Sequence, residues 1–395
     1  MKNSMSYRLG LLSEIQLLWR DDAYWTLDLW VKDLEAQIEA IDALILFSPV
    51  VDTLPESWGA LLPLPATIRV VDLGCDGRTL CAEVAKVDVV QVPGNQPWFR
   101  AGRARLFLRL ARKHGKAAVL GVSSDRARTQ VINATRGWLG KVSARIRFVG
   151  IRASQAYLAA RSDGVFVVGE GLRRTLERWS ANVHVGTASW IRAESLARAV
   201  PPRVRGGALA LCAAARLEPM KGIHLALGAL GALRRSADPI DAFLSVAGIG
   251  PEQERLQALT AQQGLGDRVR FVGSLAYPEP FFGLLRDSDI VLFTNLNDEQ
   301  PRLIFDAISQ GCLIICPATL PYRALGIPEE LLYERGDERA LATRIGVLSG
   351  RLDDDELRQR LSVVAQGVTI EDMHARRRDW IRSTLLVERA SVSAR

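Results

Sequence analysis

Residues Ile290–Cys316 read IVLFTNLNDEQPRLIFDAISQGCLIIC. Ile290–Phe293 and Leu313–Cys316 are short apolar runs rich in branched residues. Leu303–Gln310 between them has helical spacing, and Gly311 closes it at the position where a left-handed residue ends a helix. An apolar strand, a helix and a second apolar strand make a crossover unit, which joins parallel strands whose two faces are both covered. Working outward, the same alternation recurs. Ala208–Ala213, Ala242–Ala247 and Val269–Val272 read as strands, with Ile223–Arg235, Glu252–Gln263 and Pro280–Arg286 as helices. Nearer the N-terminus, Ala43–Val50, Ile68–Leu73, Val87–Val92, Ala117–Val122 and Gly164–Val168 read as strands among the helices Leu27–Ala40, Arg103–His114 and Gly171–Trp179. The Pro and Gly pairs of Ala199–Gly207 (AVPPRVRGG) suit a linker. The expectation is an α/β chain of two Rossmann-like parallel-sheet domains, 1–200 and 201–370. A charged helical tail, 371–395, packs back on the first domain or caps the second.

Composition bounds the function. The 395 residues are 48% hydrophobic and 24% charged, which excludes a disordered chain. No run approaches the ~18 apolar residues of a spanning helix, and the N-terminus lacks the apolar core of a secretory signal. Five cysteines without a C-x-x-C pair argue for buried thiols in a reducing cytoplasm, and four scattered histidines argue against a metal site. The net charge of +7 is unevenly spread. Val89–Ser162 holds fifteen Lys/Arg and one acid, Asp125, so this window carries +14 and the remainder −7. An anionic surface, a nucleic acid or a phosphorylated ligand would meet such a region.

Ligands of open parallel sheets bind beyond the carboxyl ends of strands, so the loops that follow strands carry the chemistry. Arg216-Leu-Glu-Pro-Met-Lys221-Gly222 follows one strand and sets two cations near its end, a pair that can neutralise a diphosphate or stand as two solvated loop cations. Lys221 is the only lysine after residue 141. Gly248-Ile-Gly250-Pro251 permits close approach to the backbone or makes a tight strand-to-helix turn. Phe271-Val-Gly273-Ser-Leu275 runs from a strand into a loop. In Asp298-Glu299-Gln300-Pro301-Arg302-Leu303…Asp306, the acids precede a helix start. They suit sugar hydroxyls or cap the helix, and the free N–H groups suit a leaving diphosphate.

Taken in order, these segments resemble the donor-binding domain of GT-B glycosyltransferases of the retaining family 4 (glycosyl transferases group 1). That family shows G-R-L-x-x-x-K-G, G-x-G-P, F-x-G and E-x7-E in this sequence. The resemblance covers about residues 206–345 and implies two domains facing a cleft. It implies a hexosyltransferase-type enzyme using a UDP- or GDP-linked sugar as substrate, with no cofactor and no metal. Arg216 and Lys221 would hold the diphosphate, Asp306 the ribose, and Asp298 or Glu299 the donor sugar. Asp298, Arg216 and Lys221 would be catalytic. Gly250, Gly273, Leu275, Gln300, Pro301, Arg302 and Leu303 would line the donor site. Two departures stand out: aspartates replace both family glutamates, and Arg20-Asp-Asp-Ala-Tyr-Trp25 stands in place of a Gly-Gly loop. On the acceptor side Asp22, Gln91, Asn95 and Asp125 are the candidates.

Trp98–Lys116 holds seven Lys/Arg and no acid, with apolar residues at helical spacing. It reads as an amphipathic helix for an anionic bilayer surface, or as a sheet-covering helix with a solvated Arg face. The first reading places a lipid-linked acceptor at the inner membrane face, in polysaccharide or glycolipid assembly. Three rival readings remain: a GT-B protein that binds without catalysing, a nucleic-acid-binding protein, and a methyltransferase. The last rests on Val71-Asp-Leu-Gly-Cys-Asp-Gly77, which resembles the first motif of S-adenosylmethionine-dependent enzymes but lacks an acid after the next strand. No helix-turn-helix or zinc knuckle accompanies the charge, so no nucleic-acid partner is expected.

Overall fold

The computed structural model describes residues 6–54, 60–134, 137–196, 207–300 and 302–387. The chain forms two compact units. The first comprises residues up to Ala127, Val142–Ala188 and the chain from Ile370 on; the second comprises Arg128–Lys141 and Ser189–Thr369. The proposed linker falls largely on 197–206, outside the described residues, as does Pro301.

The first unit holds a seven-stranded sheet. Its strands are β1 (Arg8–Leu12), β2 (Ala43–Ser48), β3 (Arg69–Asp72), β4 (Val89–Pro93), β5 (Ala117–Val122), β6 (Gly164–Val168) and β7 (Val183–Gly186). Their spatial order is β7-β6-β5-β4-β1-β2-β3, with every pair parallel. The chain therefore winds outward one way from β1 and then the other from β4, the doubly wound pattern with its switch between β1 and β4. A four-stranded sheet, built from Leu17–Arg20, Ala23–Leu27, Val50–Val51 and Leu61–Pro63, lies beside it. Asp21 and Asp22 both take positive φ (52° and 56°) to close its hairpin.

Apolar residues fill both faces of the main sheet. On one, Phe47 meets Phe107 edge to face at 4.9 Å. Phe107 belongs to the helix Gly102–Lys113, whose Ala104, Phe107, Leu108 and Ala111 are buried. The apolar stripe of the basic segment is thus consumed by the core, and its arginines form the solvated face. The tail helix Ile370–Trp380 packs on the helix Asp28–Glu39 within this unit. Its Trp380 stacks on His184 at 5.1 Å, and Arg377 lies over the Phe166 ring.

The second unit repeats the plan with β8 (Leu209–Ala214), β9 (Ala242–Ala247), β10 (Val269–Gly273), β11 (Ile290–Leu292), β12 (Leu313–Pro317) and β13 (Leu332–Tyr333). The order is β10-β9-β8-β11-β12-β13, all parallel, so the switch lies between β8 and β11. Cys212, Cys312 and Cys316 are buried in this core, and all five cysteines are free.

Candidate functional site

The switch of the second unit brings together the two loops with the most informative residues. The loop after β8 passes through a turn at Pro219–Lys221, and Gly222 (φ 63°) leads into the helix Ile223–Arg234. The loop after β11 runs beside it. The Thr294 hydroxyl donates to the Lys221 carbonyl at 2.6 Å, and the Leu296 N–H donates to the Met220 carbonyl at 2.8 Å. A side chain at Gly222 would put its Cβ 2.2 Å from the Thr294 carbonyl oxygen, so this junction demands glycine.

Cations and carboxylates alternate across the junction. Arg216, largely exposed, pairs with Glu218 at 3.0 Å. The Lys221 ammonium lies 3.7 Å from Glu299. Asp298 is held between two arginines, Arg335 at 2.7 Å and Arg128. The segment 128–141 adds further contacts: the Thr129 hydroxyl donates to Glu299 at 3.1 Å, and the Asn133 amide donates to Glu218 at 3.0 Å. The Asn133 carbonyl oxygen also accepts from the Met220 N–H at 3.0 Å. The spacing of Asp298 and Glu299 before a helix raised the expectation of capping. The helix Leu303–Ser309 instead starts without a side-chain cap, and both acids are spent on basic and hydroxyl partners.

Asp306 lies inside that helix and is 3% exposed. Its carboxylate accepts from the Tyr277 hydroxyl at 3.1 Å. Burial pushes its pKa up from 3.8 to about 7, and the Tyr277 bond counteracts only part of this. Burial and the neighbouring carboxylate push the Tyr277 hydroxyl up as well. Gln300 is nearly buried, and the Arg302 guanidinium stacks on Trp190 at 4.0 Å. Leu303 and Leu275 are half-buried against the core.

The glycines serve loop packing. A Cβ on Gly248 (φ 125°) would stand 1.9 Å from the Ala215 carbonyl oxygen, and one on Gly250 would stand 2.4 Å from that of Leu217. The turn after β9 is therefore pressed onto the loop that carries Arg216. Gly273 (φ 73°) accepts from the Gly248 N–H at 2.7 Å and has open space where a Cβ would be.

The acceptor-side candidates do not converge. Asp22 is exposed in the hairpin of the small sheet. Gln91 lies within β4 and accepts from Arg377 of the tail helix. Asp125 is buried and takes both carboxylate oxygens to Arg152, at 2.8 and 2.9 Å. Asn95 keeps its side-chain carbonyl buried without a partner beside the β4 end. The first unit's own switch does hold a pocket of about 260 Å³. It is lined by Leu12, Ser13, Glu14, Pro49, Pro93, Gln96, Arg100, Ala101, Arg103 and Ala104.

Sequence reasoning missed Arg128, Thr129, Asn133, Tyr277 and Arg335 as neighbours of the motif residues. Arg128, Thr129 and Asn133 come from one short helix and its end, Tyr277 and Arg335 from two separate loops, none with a spacing relation to the motifs, and only the basic window hinted at the first.

Comparison with known proteins bears on the fold and on the second unit. The fold is GT-B in type, two Rossmann-like parallel-sheet units with glycosyltransferases among its structural neighbours. Residues 202–366, nearly all of the second unit, match the family model described as Glycosyl transferases group 1. Among curated proteins, the chain is 30% identical over 142 residues to the lipopolysaccharide core biosynthesis glycosyltransferase LpsD of Rhizobium meliloti. That match covers 34% of this chain and 38% of that protein. It is 29% identical over 170 residues to the putative colanic acid biosynthesis glycosyltransferase WcaL of Escherichia coli, covering 40% of each. The matched stretch thus spans about two fifths of these relatives. Among solved structures, sucrose-phosphate synthase from Thermosynechococcus elongatus superposes with a TM-score of 0.66 at 16% identity, covering 96% of this chain and 99% of that one. HepE of Anabaena, in complex with UDP, gives 0.58 at 14% identity, covering 98% and 99%. At such identities the likeness concerns the fold alone.

Proposed function

We propose that the chain is a glycosyltransferase of the retaining family 4 type. It moves a hexose from a UDP- or GDP-linked donor to an acceptor hydroxyl in the assembly of lipopolysaccharide or a related surface glycan. The carrying observation is the junction at the second unit's switch, where Arg216 and Lys221 stand on one loop and Asp298 and Glu299 on the loop bonded to it. A diphosphate entering there would take Arg216 from Glu218 and Lys221 from Glu299, exchanging carboxylate for phosphate oxygens on the same cations. As the glycosidic bond breaks, charge grows on the leaving diphosphate, and prepositioned cations act where that charge develops. Glu299, released from Lys221, then accepts from donor-sugar hydroxyls, beside Asp298, which keeps Arg128 and Arg335 as partners. No step in this scheme calls on a cofactor or a metal. We read the location as cytoplasmic, with a lipid-linked acceptor at the inner membrane face.

The relatives support this reading, since LpsD and WcaL are named for lipopolysaccharide core and colanic acid synthesis. HepE was crystallised with UDP and with UDP-glucose. The test is turnover of UDP-glucose, UDP-galactose, UDP-N-acetylglucosamine and GDP-mannose, read as nucleotide release with and without lipopolysaccharide acceptors. Lys221→Ala serves as the control, and the anomeric coupling constant of the product reads retention. Release by wild type that Lys221→Ala abolishes supports the proposal.

A second reading, a binding protein without turnover, is favoured by two observations. Asp298 is clasped by Arg128 and Arg335, and Asp306 is covered by Tyr277. Thermal stabilisation by a nucleotide sugar without release of nucleotide would select it.

A further inference from the structure

The helix Trp138–Ala159 carries two apolar faces. Its inner face, with Ala144, Ile151, Leu158 and Ala159, is buried. Its outer face is also apolar: Trp138 is 72% exposed, Leu139 66%, Val142 44%, Ile146 63% and Val149 65%. Trp138, Val142, Ile146 and Val149 follow at i, i+4, i+8 and i+11, so they form one stripe along the helix. Scattered exposed apolar residues need no explanation, but a contiguous stripe of five does.

The surroundings identify what covers it. The helix contains Lys141, Arg145, Arg147 and Arg152 and no acid. By helical geometry Lys141 and Arg145 flank the stripe on one side and Arg147 lies beyond it on the other. Gly150 is in contact with the turn at Pro97 and Trp98, a Cβ there lying 3.4 Å from the Pro97 side chain. That turn adds Phe99, 66% exposed, and Trp98, which is 42% exposed and stacked against Arg105 at 4.5 Å. An apolar strip bordered by cations and aromatics fits the boundary between acyl chains and anionic headgroups, with the helix lying in the plane. A second copy of the chain is a poor occupant, because it would bring two sets of cations together with no acid on either helix.

We infer that the outer face of Trp138–Val149, extended by Trp98 and Phe99, docks this protein on an anionic lipid bilayer. The contact moves from the helix Gly102–Lys113, where the sequence suggested it, to the helix whose apolar residues remain uncovered. The inference is independent of the transfer reaction, since binding is read without donor or acceptor.

The experiment is co-sedimentation of the full chain with vesicles of phosphatidylglycerol and phosphatidylethanolamine, against vesicles of phosphatidylcholine alone. The expected result is binding to the first that weakens with salt, and little to the second. Replacing Val142, Ile146 and Val149 together by Ser should lower that binding about tenfold or more, while Leu106→Ser on the core-covering helix should not. A second measurement covers a misfolded triple variant. Brominated lipid should quench the tryptophan emission of wild type, and Trp138→Phe should remove much of that quenching. The inference is overturned by absence of binding to anionic vesicles at low salt, by binding or quenching indifferent to these changes, or by a dimer that the triple variant dissociates without any vesicle binding.

Discussion

The Tyr277 hydroxyl donates at 3.1 Å to the carboxylate of Asp306, which stands in the helix that follows Asp298 and Glu299 in the chain. A buried carboxyl with one neutral donor is a poor anion, which is why burial raises it to about 7. The folded protein therefore keeps this proton up to about pH 7, whereas the unfolded chain gives it up near the ordinary value of 3.8. Across that window the native state binds more protons, so stability contributed by this group falls as pH rises and levels off above the folded value. Asp306→Asn, neutral throughout, should lack the fall. Urea denaturation at pH 5 and pH 8 should show wild type losing a few kcal/mol relative to the variant on going to the higher pH. Equal pH profiles would mean that the carboxyl does not titrate in this way.

Gly222 is the point where the two site loops touch, with positive φ and no room for a Cβ against the Thr294 carbonyl. Gly222→Ala should cost about 1–3 kcal/mol through backbone strain and loop displacement. Since the same displacement moves Lys221, the Michaelis constant for the donor should rise as well. Gly264→Ala offers the comparison: its φ is also positive, but nothing lies within 4 Å of the added methyl. Its cost should be smaller and confined to stability. Thermal melts and donor titrations of the two variants check this.

Phe107 tests the account of the basic helix. It is fully buried against Phe47, while its neighbour Leu106 is 37% exposed. Phe107→Ala should destabilise the protein by about 3–5 kcal/mol, whereas Leu106→Ser should stay within about 1 kcal/mol of wild type. Similar effects of the two would contradict the assigned helix face.

How much of this could be read from the chain follows from what each element buries. The parallel strands were legible because both of their faces are covered, which leaves unbroken apolar runs such as Leu313–Cys316. The strand Arg8–Leu12 escaped notice because it begins with a charged residue and is interrupted by Gly10, although it is an interior strand of its sheet. The helix Trp138–Ala159 escaped for the opposite reason: apolar residues on both faces blur the 3.6-residue period. At the candidate site, the shared placement of Arg216, Lys221, Asp298 and Glu299 was legible because strand-end loops at one switch point carry them. The Asp298 partners Arg128 and Arg335, and the Asp306 partner Tyr277, were not, since only the folded chain brings those segments together. Asp125 and Gln91, proposed for an acceptor, prove to have Arg152 and Arg377 as partners, a pairing that no local pattern announces.

Donor binding by exchange of partners makes a prediction with two opposite signs. Arg216 is held by Glu218 and Lys221 by Glu299, so each carboxylate competes with the incoming diphosphate. Glu218→Gln keeps an oxygen for the Asn133 amide but removes the charge that holds Arg216. Because the Arg216 side chain is 73% exposed, the competing pair is weak, worth no more than about 1 kcal/mol. Affinity for a nucleotide sugar should therefore rise by roughly two- to five-fold. Lys221→Ala should act the other way, lowering kcat/KM by about 10²–10³ through loss of charge stabilisation on the leaving group. Lys221→Arg should restore only part of this, since a planar fork does not reproduce a compact ammonium. Calorimetric titration with UDP and GDP sugars, alongside nucleotide-release rates, reads both signs. Weaker donor binding by Glu218→Gln would show that Glu218 positions Arg216 for the diphosphate rather than competing for it.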